Sequence, residues 1–240
     1  MSKNKGIAEG LLEEKELTKT LNMKLDQKLW NTLNFDINNS YAIHVISQKY
    51  GLINKRKVYP KADVFIATGS IPNEILQENN FYLNENHFKK YNLKIIQKSG
   101  ISVKRPDSKK YQIMKMGPRT FKKIFKNTEL GAGASIYCLR EEELIKNTLV
   151  INGWDTTWEK FNIFFKNETG IEINENSSID IFKIIKKRSN ELIHSLISND
   201  KRISDFIFKG IGNFQEPFNA NFLYEHGDLK LNYYIPFKIT

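Results

Sequence analysis

The spacing of apolar residues predicts a helical start, a strand-rich middle and a mainly helical second half. Residues 4–22 carry one isoleucine and several leucines at roughly helical spacing, and residues 26–35 and 40–50 continue this character up to Gly51. Apolar side chains that return every three to four residues are typical of an amphipathic helix. The pattern therefore predicts helices up to Gly51, which fits a helix C-terminus, and a basic loop at residues 54–57.

Two short runs in the middle of the chain have the composition of β-strands. Residues 62–67 are rich in strand formers and are followed by Gly69 and Pro72, and residues 101–104 follow Gly100. Runs of β-branched and aromatic residues bounded by glycine or proline favour strands. We therefore predict that these two runs lie in a sheet.

The remaining segments complete a mixed pattern. Residues 80–97 predict a hairpin or an irregular excursion that ends in a strand-like stretch, and Pro118 is suited to the first turn of a helix. Beyond residue 128 the chain is mainly helical, with one or two strands near its end; the predicted helices are 139–147, 155–168, 178–197 and 201–209, and the strand segment is 229–239. We predict an α/β fold with a central mixed sheet, flanked by helices, and a helical C-terminal half.

The two predicted strands carry polar side chains at positions suited to a shared site. Asp63 is a lone carboxylate within an apolar strand, which tolerates a charge poorly unless it is paired or binds a cation. Ser102 and Lys104 are two residues apart and therefore face the same side of their strand, while Ile101 and Val103 face the other. If the strands are neighbours, Asp63, Ser102 and Lys104 converge.

This trio has the chemistry needed for phosphodiester hydrolysis. Asp63 would hold a divalent metal through hard oxygen ligands. Lys104 would orient the attacking water and offset the negative charge that develops on the phosphate. Ser102 is a weak substitute for a second carboxylate. The alternative is structural: Asp63 would end a buried strand through a salt bridge, and Lys104 would extend its ammonium group to solvent.

The same residues resemble a known nuclease motif. Lys61-Ala62-Asp63-Val64, followed by Gly100-Ile101-Ser102-Val103-Lys104-Arg105, is similar to the Ser-x-Lys variant of the PD-(D/E)XK nucleases. Lys5-Gly6-Ile7-Ala8-Glu9 matches an N-terminal helix motif of that family, and the resemblance implies that Glu9 is a supporting acid near the metal and that Gln112 lies beside the DNA backbone. Ala62 stands where the family often has proline. Where the Ser-x-Lys branch restores the missing acid from a following helix, Glu129 would be the candidate.

The resemblance also implies an activity and partners. The resemblance covers about residues 5–126, which we expect to form the catalytic core with a restriction-endonuclease-like sheet. We expect residues 1–240 to form a single domain, in which residues 127–240 supply helical and DNA-recognition elements. The implied function is that of a type II restriction enzyme: a Mg²⁺-dependent homodimer that cuts double-stranded DNA and has a cognate DNA methyltransferase as its genetic partner. A repair or recombination nuclease of the same fold and a catalytically inactive DNA-binding protein are the alternatives.

The charge of the chain is consistent with a polyanionic partner. The formal net charge is +10 and the isoelectric point about 9.4. Such a surface attracts nucleic acid first and an anionic membrane second, although a genome rich in A and T would also raise the lysine content. The basic side chains just past the proposed site are the candidate DNA contacts, with a solvated helix face as the alternative; together with Gln112 the set is Arg105, Lys115, Arg119, Lys122 and Lys123.

Other features exclude some classes of protein. No apolar run is long enough to span a membrane and the N-terminus has no apolar signal core, so we expect a cytoplasmic protein. Cys138 is the single cysteine, which excludes an internal disulfide. The four scattered histidines do not have zinc-ligand spacing. Residues 131–135 are glycine-rich but lack a following lysine, so a flexible loop or close helix packing is a better interpretation than a phosphate loop. Pro106-Asp107 is typical of a turn.

Overall fold

The computed structural model of the chain is an α/β structure, as the hydrophobic pattern predicted. It describes residues 3–46, 52–53, 56–57, 60–105 and 113–235, and it describes side chains from residue 10 onward within these ranges, except those at 52–53 and 56–57. The chain divides into two compact units. The first comprises Met1–Ile113 and Asp205–Tyr233, and the second comprises Met114–Ser204 and Tyr234–Thr240.

The first unit contains a mixed sheet that has six strands within the described residues. Its strands are β1 (Ser40–His44), β4 (Val64–Thr68), β5 (Lys94–Ile95), β6 (Ile101–Val103), β7 (Phe222–Glu225) and β8 (Asp228–Leu231). They lie in the order β1-β4-β6-β7-β8, with β5 also paired to β4. Neighbouring strands are antiparallel except for β6 and β7, which are parallel. A separate antiparallel pair is formed by β2 (Leu52–Ile53) and β3 (Arg56–Lys57).

The helices of the first unit pack against this sheet. They are α1 (Lys3–Asn22), α2 (Gln27–Leu33), α3 (Asn73–Glu78) and α4 (Glu85–Lys90). One buried cluster joins Leu17, Leu21 and Trp30 from α1 and α2 to Val64 and Ile66 of β4. A second cluster joins the alternate β4 residues to α3 and α4; it includes Phe65, Ala67, Leu76 and Phe88. Because successive strand residues face opposite sides, β4 is buried on both faces.

The segment after residue 40 shows where the hydrophobic pattern misled. We predicted a helix over residues 40–50, but Ser40–His44 is a strand paired along its whole length with β4. Ala42 and Ile43 are buried on opposite faces of the sheet, so the run is apolar at successive positions and shows no period of two. A short buried strand of this kind cannot be distinguished from a helix by periodicity.

Three further predictions need correction. Residues 80–97 contain α4 as well as β5, rather than a hairpin, and α4 begins with a capping box in which Asn84 accepts hydrogen bonds from backbone N–H groups. The predicted loop at 54–57 includes β3 at Arg56–Lys57. The predicted helix at 139–147 is a 3-10 turn, Glu141–Glu143, followed by a helix that starts at Ile145.

The second unit is helical in its described part. Its helices are α5 (Pro118–Phe125), α6 (Glu129–Ser135), α7 (Ile145–Gly153), α8 (Trp158–Thr169) and α9 (Ile179–Asn199). The next helix, α10 (Lys201–Lys209), begins in the second unit and ends in the first. The predicted helices at 155–168, 178–197 and 201–209 are confirmed. The core of the second unit combines buried isoleucines with buried aromatic side chains, and the latter are Phe161, Phe165 and Phe182. Within the described ranges, no helix is both long and apolar enough to cross a bilayer.

Several predictions lie outside the described residues. These are the Pro106-Asp107 turn, Gln112, residues 54–55, the end of the predicted strand at 236–239, and the side chains of Lys5-Gly6-Ile7-Ala8-Glu9.

Close backbone packing fixes the two strands that carry the predicted site. The carbonyl of Phe218 accepts hydrogen bonds from the N–H groups of Lys61 and Ala62, each at 3.1 Å. Gly100 lies directly before β6, and a Cβ added there would lie 1.9 Å from the carbonyl oxygen of Asn219. Only glycine allows so close an approach of two backbone segments. Residues 217–219 therefore fix the start of both motif strands.

Candidate active site

Asp63 lies at the point where β1, β4 and β6 meet. Its N–H donates to the carbonyl of Ile101, and its own carbonyl accepts from the N–H of Val45, both at 2.8 Å. The register of β4 and β6 places Val64 opposite Ile101. The backbone of Asp63 is thus hydrogen-bonded on both sides, to Val45 just after β1 and to Ile101 of β6.

The structure brings the three predicted side chains together. The hydroxyl of Ser102 lies 3.4 Å from Oδ2 of Asp63, and Nζ of Lys104 donates to Oγ of Ser102 at 2.9 Å. Ile101 and Val103, the alternate residues of the strand, pack in the cluster with α1 and α2. Ser102 and Lys104 therefore share one face, as strand geometry predicted, and Ser102 links the carboxyl to the ammonium group.

The surroundings of the Asp63 carboxyl disfavour its ionised form. Burial raises its pKa to about 7, and the negative charge of Glu14 adds to this rise. The positive charge of Lys104 and the hydrogen bonds from the Val103 N–H and the Ser102 hydroxyl act in the opposite direction. A cation bound at the carboxyl would favour its ionised form.

Glu14 of α1 is an acid whose negative charge helps to raise the pKa of Asp63. Its charge acts on Asp63, and its Oε2 lies 2.7 Å from Nε2 of His44. The sequence motif pointed instead to Glu9, whose side chain is outside the described residues. Leu17 and Leu21, three and seven positions after Glu14, are buried on the face of α1 that meets the sheet. An acid in line with a helix's apolar stripe was the signal that could have identified Glu14.

His44 was missed because residues 40–50 were predicted to be helical. Its side chain is 0% exposed, and its ring stacks on Tyr82 with 4.3 Å between ring centroids. In the β1–β4 register His44 lies opposite Val64, the residue next to Asp63. The strand assignment therefore places a buried imidazole in hydrogen-bond contact with Glu14, on the strand next to the one that Asp63 precedes.

Lys61 is a second ammonium group near the centre, and sequence reasoning did not identify it as a site residue. Its Nζ donates to the carbonyl of Ile207 at 2.8 Å and also to the carbonyl of Ile113. Burial and the positive charge of Lys104 lower its pKa to about 8, although the charge of Asp63 opposes this shift. Lys61 and Lys104 together place two positive charges beside one carboxyl.

The described oxygen donors near Asp63 are few for a divalent cation. Within the described part of the chain, no three His, Cys, Asp or Glu residues form a group that could hold a metal. Asp63 and Glu14 are two carboxylates, and among the described donors none lies within hydrogen-bond distance of Oδ1 of Asp63. Mg²⁺ is usually bound by one or two protein carboxylates, with water and substrate phosphate completing its ligands. Two carboxylates match the number that a protein usually supplies to Mg²⁺, and they are fewer than a full protein cage contains.

The predicted DNA contacts are divided between the units. Arg105 follows Lys104 in the first unit and is partly exposed. The others that the structure describes belong to the second unit, where they are exposed on or just before α5; they are Lys115, Arg119, Lys122 and Lys123. Phe121 and Phe125 are buried on the opposite side of α5. This helix therefore presents a basic face to solvent.

Features that suggested other chemistry have structural roles. Residues 131–135 form most of α6, and a Cβ at Gly131 would lie 2.1 Å from the ring of Trp154, which confirms close helix packing. Glu129, considered as a replacement acid, accepts a hydrogen bond from the Thr156 hydroxyl at 2.7 Å in the second unit. Cys138 is a partly buried free thiol that lies outside the strands and helices of the described residues.

Comparisons with protein-family models, with curated proteins and with solved structures find no match to this chain.

Proposed function

We propose that the chain is a Mg²⁺-dependent endonuclease that hydrolyses phosphodiester bonds of double-stranded DNA, with a restriction-endonuclease-like core of the PD-(D/E)XK group. The observation that carries this proposal is the contact of Asp63, Ser102 and Lys104 across two neighbouring antiparallel strands. Residues that are far apart in the chain meet where the Ser-x-Lys motif requires them to meet. The charge of Glu14 acts on the same carboxyl, which supplies a second acid.

Asp63 and Glu14 are the residues that we assign to hold the metal ion. Glu14 takes the supporting role that the sequence motif gave to Glu9, and it offsets the lack of an acid at Ser102. A bound Mg²⁺ would supply Lewis-acid activation of the scissile phosphate and of the attacking water. The buried position of Asp63, beside the charge of Glu14, disfavours two bare carboxylates and so favours a cation between them.

Lys104 and Ser102 act on the reacting groups in this proposal. The ammonium group of Lys104 orients the attacking water and offsets the negative charge that grows on the phosphate oxygens. Ser102, buried at 4% exposure, holds that ammonium group by a 2.9 Å hydrogen bond and keeps it near Asp63. Ser102 therefore positions the lysine and does not bind the metal.

The same assignment extends to the substrate and partners. The net charge of +10 and the exposed basic face of α5 suit contact with DNA phosphates, which gives affinity without sequence information. A type II restriction enzyme that cuts both strands of a palindrome would act as a homodimer with two-fold symmetry, in the cytoplasm, beside a methyltransferase that protects host DNA. A repair or recombination nuclease of the same fold would share the chemistry but not the methyltransferase.

A cleavage assay tests the proposal. The full chain is incubated with phage DNA, with Mg²⁺ or with a chelator, and the products are separated on a gel. Discrete bands that require Mg²⁺ support a restriction enzyme, and a Mg²⁺-dependent smear supports a less specific nuclease. DNA binding without cleavage at any Mg²⁺ concentration contradicts the catalytic proposal and leaves a DNA-binding protein.

A further inference from the structure

The imidazole of His44 is a fully buried polar side chain next to the candidate site. It is 0% exposed, and its Nε2 lies 2.7 Å from Oε2 of Glu14, whose side chain is 20% exposed. A hydrogen bond to a carboxylate at this length is short and strong. The pair joins β1 to α1 at the place where Glu14 acts on Asp63.

The chemistry of the two groups gives the direction of this hydrogen bond. Nδ1 of His44 is buried and has no hydrogen-bond partner among the described residues. A carboxylate oxygen can only accept, so the proton shared with Glu14 belongs to Nε2 of the imidazole. His44 is therefore the donor, and its only hydrogen bond from the ring within the described structure is to Glu14.

The donor is held rigidly. The backbone N–H of His44 donates to the carbonyl of Phe81 at 3.0 Å, and its strand pairs directly with β4. Its ring stacks on Tyr82 at 4.3 Å with 22° between the ring planes. A carboxylate at the end of a flexible glutamate side chain loses rotamer freedom when it meets such a fixed donor.

We propose that His44 is a positioning residue for metal binding: it holds the Glu14 carboxylate beside Asp63 so that the two acids bind Mg²⁺ together. This role rests on the proposed function. Residues that orient metal ligands through hydrogen bonds typically contribute about 10- to 100-fold to metal affinity. His44 acts through Glu14 and touches neither the metal nor the DNA.

The test measures binding of Mn²⁺ alone to the DNA-free protein by titration calorimetry. His44→Phe keeps an aromatic ring for the stack on Tyr82 but removes the donor, and we expect it to weaken Mn²⁺ binding by about 10- to 100-fold. His44→Gln places an amide N–H near the position of Nε2 and should restore most of the affinity. His44→Asn is the matched control, because its amide is too short to reach Glu14.

A double-mutant cycle with Glu14→Gln separates positioning from a general effect on the fold. If His44 acts through Glu14, His44→Phe has little further effect on Mn²⁺ affinity once Glu14 is replaced. Equal losses in both backgrounds would overturn the proposal. So would a folded His44→Phe protein that binds Mn²⁺ like the parent. If His44→Phe does not fold, the Gln and Asn variants decide: equal affinities would overturn the proposal.

The failure of this inference can be distinguished from failure of the proposed function. Parent protein that binds Mn²⁺ through Asp63, with unchanged affinity in His44→Phe, contradicts the role of His44 alone. Parent protein that shows no Mn²⁺ binding dependent on Asp63 contradicts the metal site and, with it, both proposals.

Discussion

At the scale of single residues, Asp63 combines a stability cost with a proposed function. Its pKa is raised to about 7, chiefly by burial and then by the charge of Glu14. Between its ordinary value of 3.8 and about 7, the folded protein binds more protons at this carboxyl than the unfolded chain does. The folded state is therefore progressively destabilised as the pH rises through this window, and a bound cation would reverse the effect.

Replacing Asp63 by asparagine tests this reasoning in metal-free protein. Asp63→Asn removes the charge but keeps the shape, so we expect a higher thermal midpoint than the parent at about pH 8 and no advantage near pH 4. Each kcal/mol corresponds to about 2–4 °C in a chain of this size. The measurement is the thermal midpoint against pH in the presence of a chelator.

Asp155→Asn is the matched control, because Asp155 is exposed and has a positive φ of 56° that asparagine also accepts. It should follow the parent at every pH. In the parent, Mg²⁺ should raise the midpoint, since a ligand that binds only the folded state stabilises it. A parent midpoint that does not respond to Mg²⁺, or an Asp63→Asn variant that is less stable at high pH, would contradict the electrostatic account.

At this scale the sequence predicted part of the site. Asp63, Ser102 and Lys104 could be predicted because strand alternation and a short motif act over a few neighbouring residues. Glu14, His44 and Lys61 could not, because their relation to Asp63 depends on how α1, β1 and the carbonyls of distant segments pack around it.

At the scale of elements, the site depends on the pairing of strands β4 and β6. The strand β6 has only three residues, Ile101–Val103, and its position is set by hydrogen bonds to β4 on one side and to β7 on the other. Gly100 directly precedes this strand, and the backbone of residues 217–219 lies close to it. A shift of β6 would move Ser102 and Lys104 away from Asp63.

Gly100→Ala tests the role of this close approach. The new Cβ would lie 1.9 Å from the Asn219 carbonyl oxygen, so backbone must move and the fold should lose about 1–3 kcal/mol. We also expect the Mg²⁺-dependent cleavage activity to fall, because β6 carries two site residues. Urea unfolding and the cleavage assay measure the two effects.

Gly10→Ala is the matched control for this substitution. A Cβ at Gly10, within α1, meets no atom within 4 Å, and alanine is the better helix former by about 1 kcal/mol. Gly10→Ala should therefore be as stable as the parent or more stable, with unchanged cleavage. A Gly100→Ala protein that is as stable as Gly10→Ala would show that the close approach has no energetic role.

The elements themselves were predictable to different degrees. The long helices α1, α8 and α9 follow from their periodicity, since many turns repeat the same pattern. The helix predicted in place of β1 was wrong, because the residues of β1 are buried on both faces of the sheet. The strand β7 was missed because it joins the sheet by long-range pairing with β6. Such pairing joins residues about 120 positions apart, as between Ile101 and Phe222, which local patterns do not record.

At the scale of the whole molecule, the chain forms two units. The first is a mixed α/β unit that contains the candidate site, and the second is helical in its described part. The strands β7 and β8 return to the first unit after the helices α5 to α9 of the second. The net charge of +10 belongs to the whole chain, and α5 of the second unit exposes part of it. We therefore propose that the second unit contributes to the sequence-independent affinity for DNA that the proposed function requires.

Neutralising two lysines of α5 tests this assignment. A Lys122→Gln and Lys123→Gln double variant should bind any DNA duplex more weakly and reduce the slope of log affinity against log salt by about one for each DNA phosphate that the protein no longer neutralises. Fluorescence anisotropy in a chelator, without cleavage, measures both quantities. Lys166→Gln is the matched control, since Lys166 is an exposed lysine of the second unit that is paired with Glu172. An unchanged salt slope in the double variant would exclude α5 from the DNA interface.

The most direct test of the central claim compares the rates at which the parent, Lys104→Ala and Glu14→Gln cleave DNA with Mg²⁺, with Glu13→Gln as the matched control. Glu13 is the neighbouring acid of α1, and its replacement makes the same chemical change outside the contact with His44. We predict that the parent and Glu13→Gln cut at similar rates, and that loss of Lys104 or Glu14 lowers the rate by about 100-fold or more. A Lys104→Ala protein that cuts DNA as fast as the parent would contradict the site.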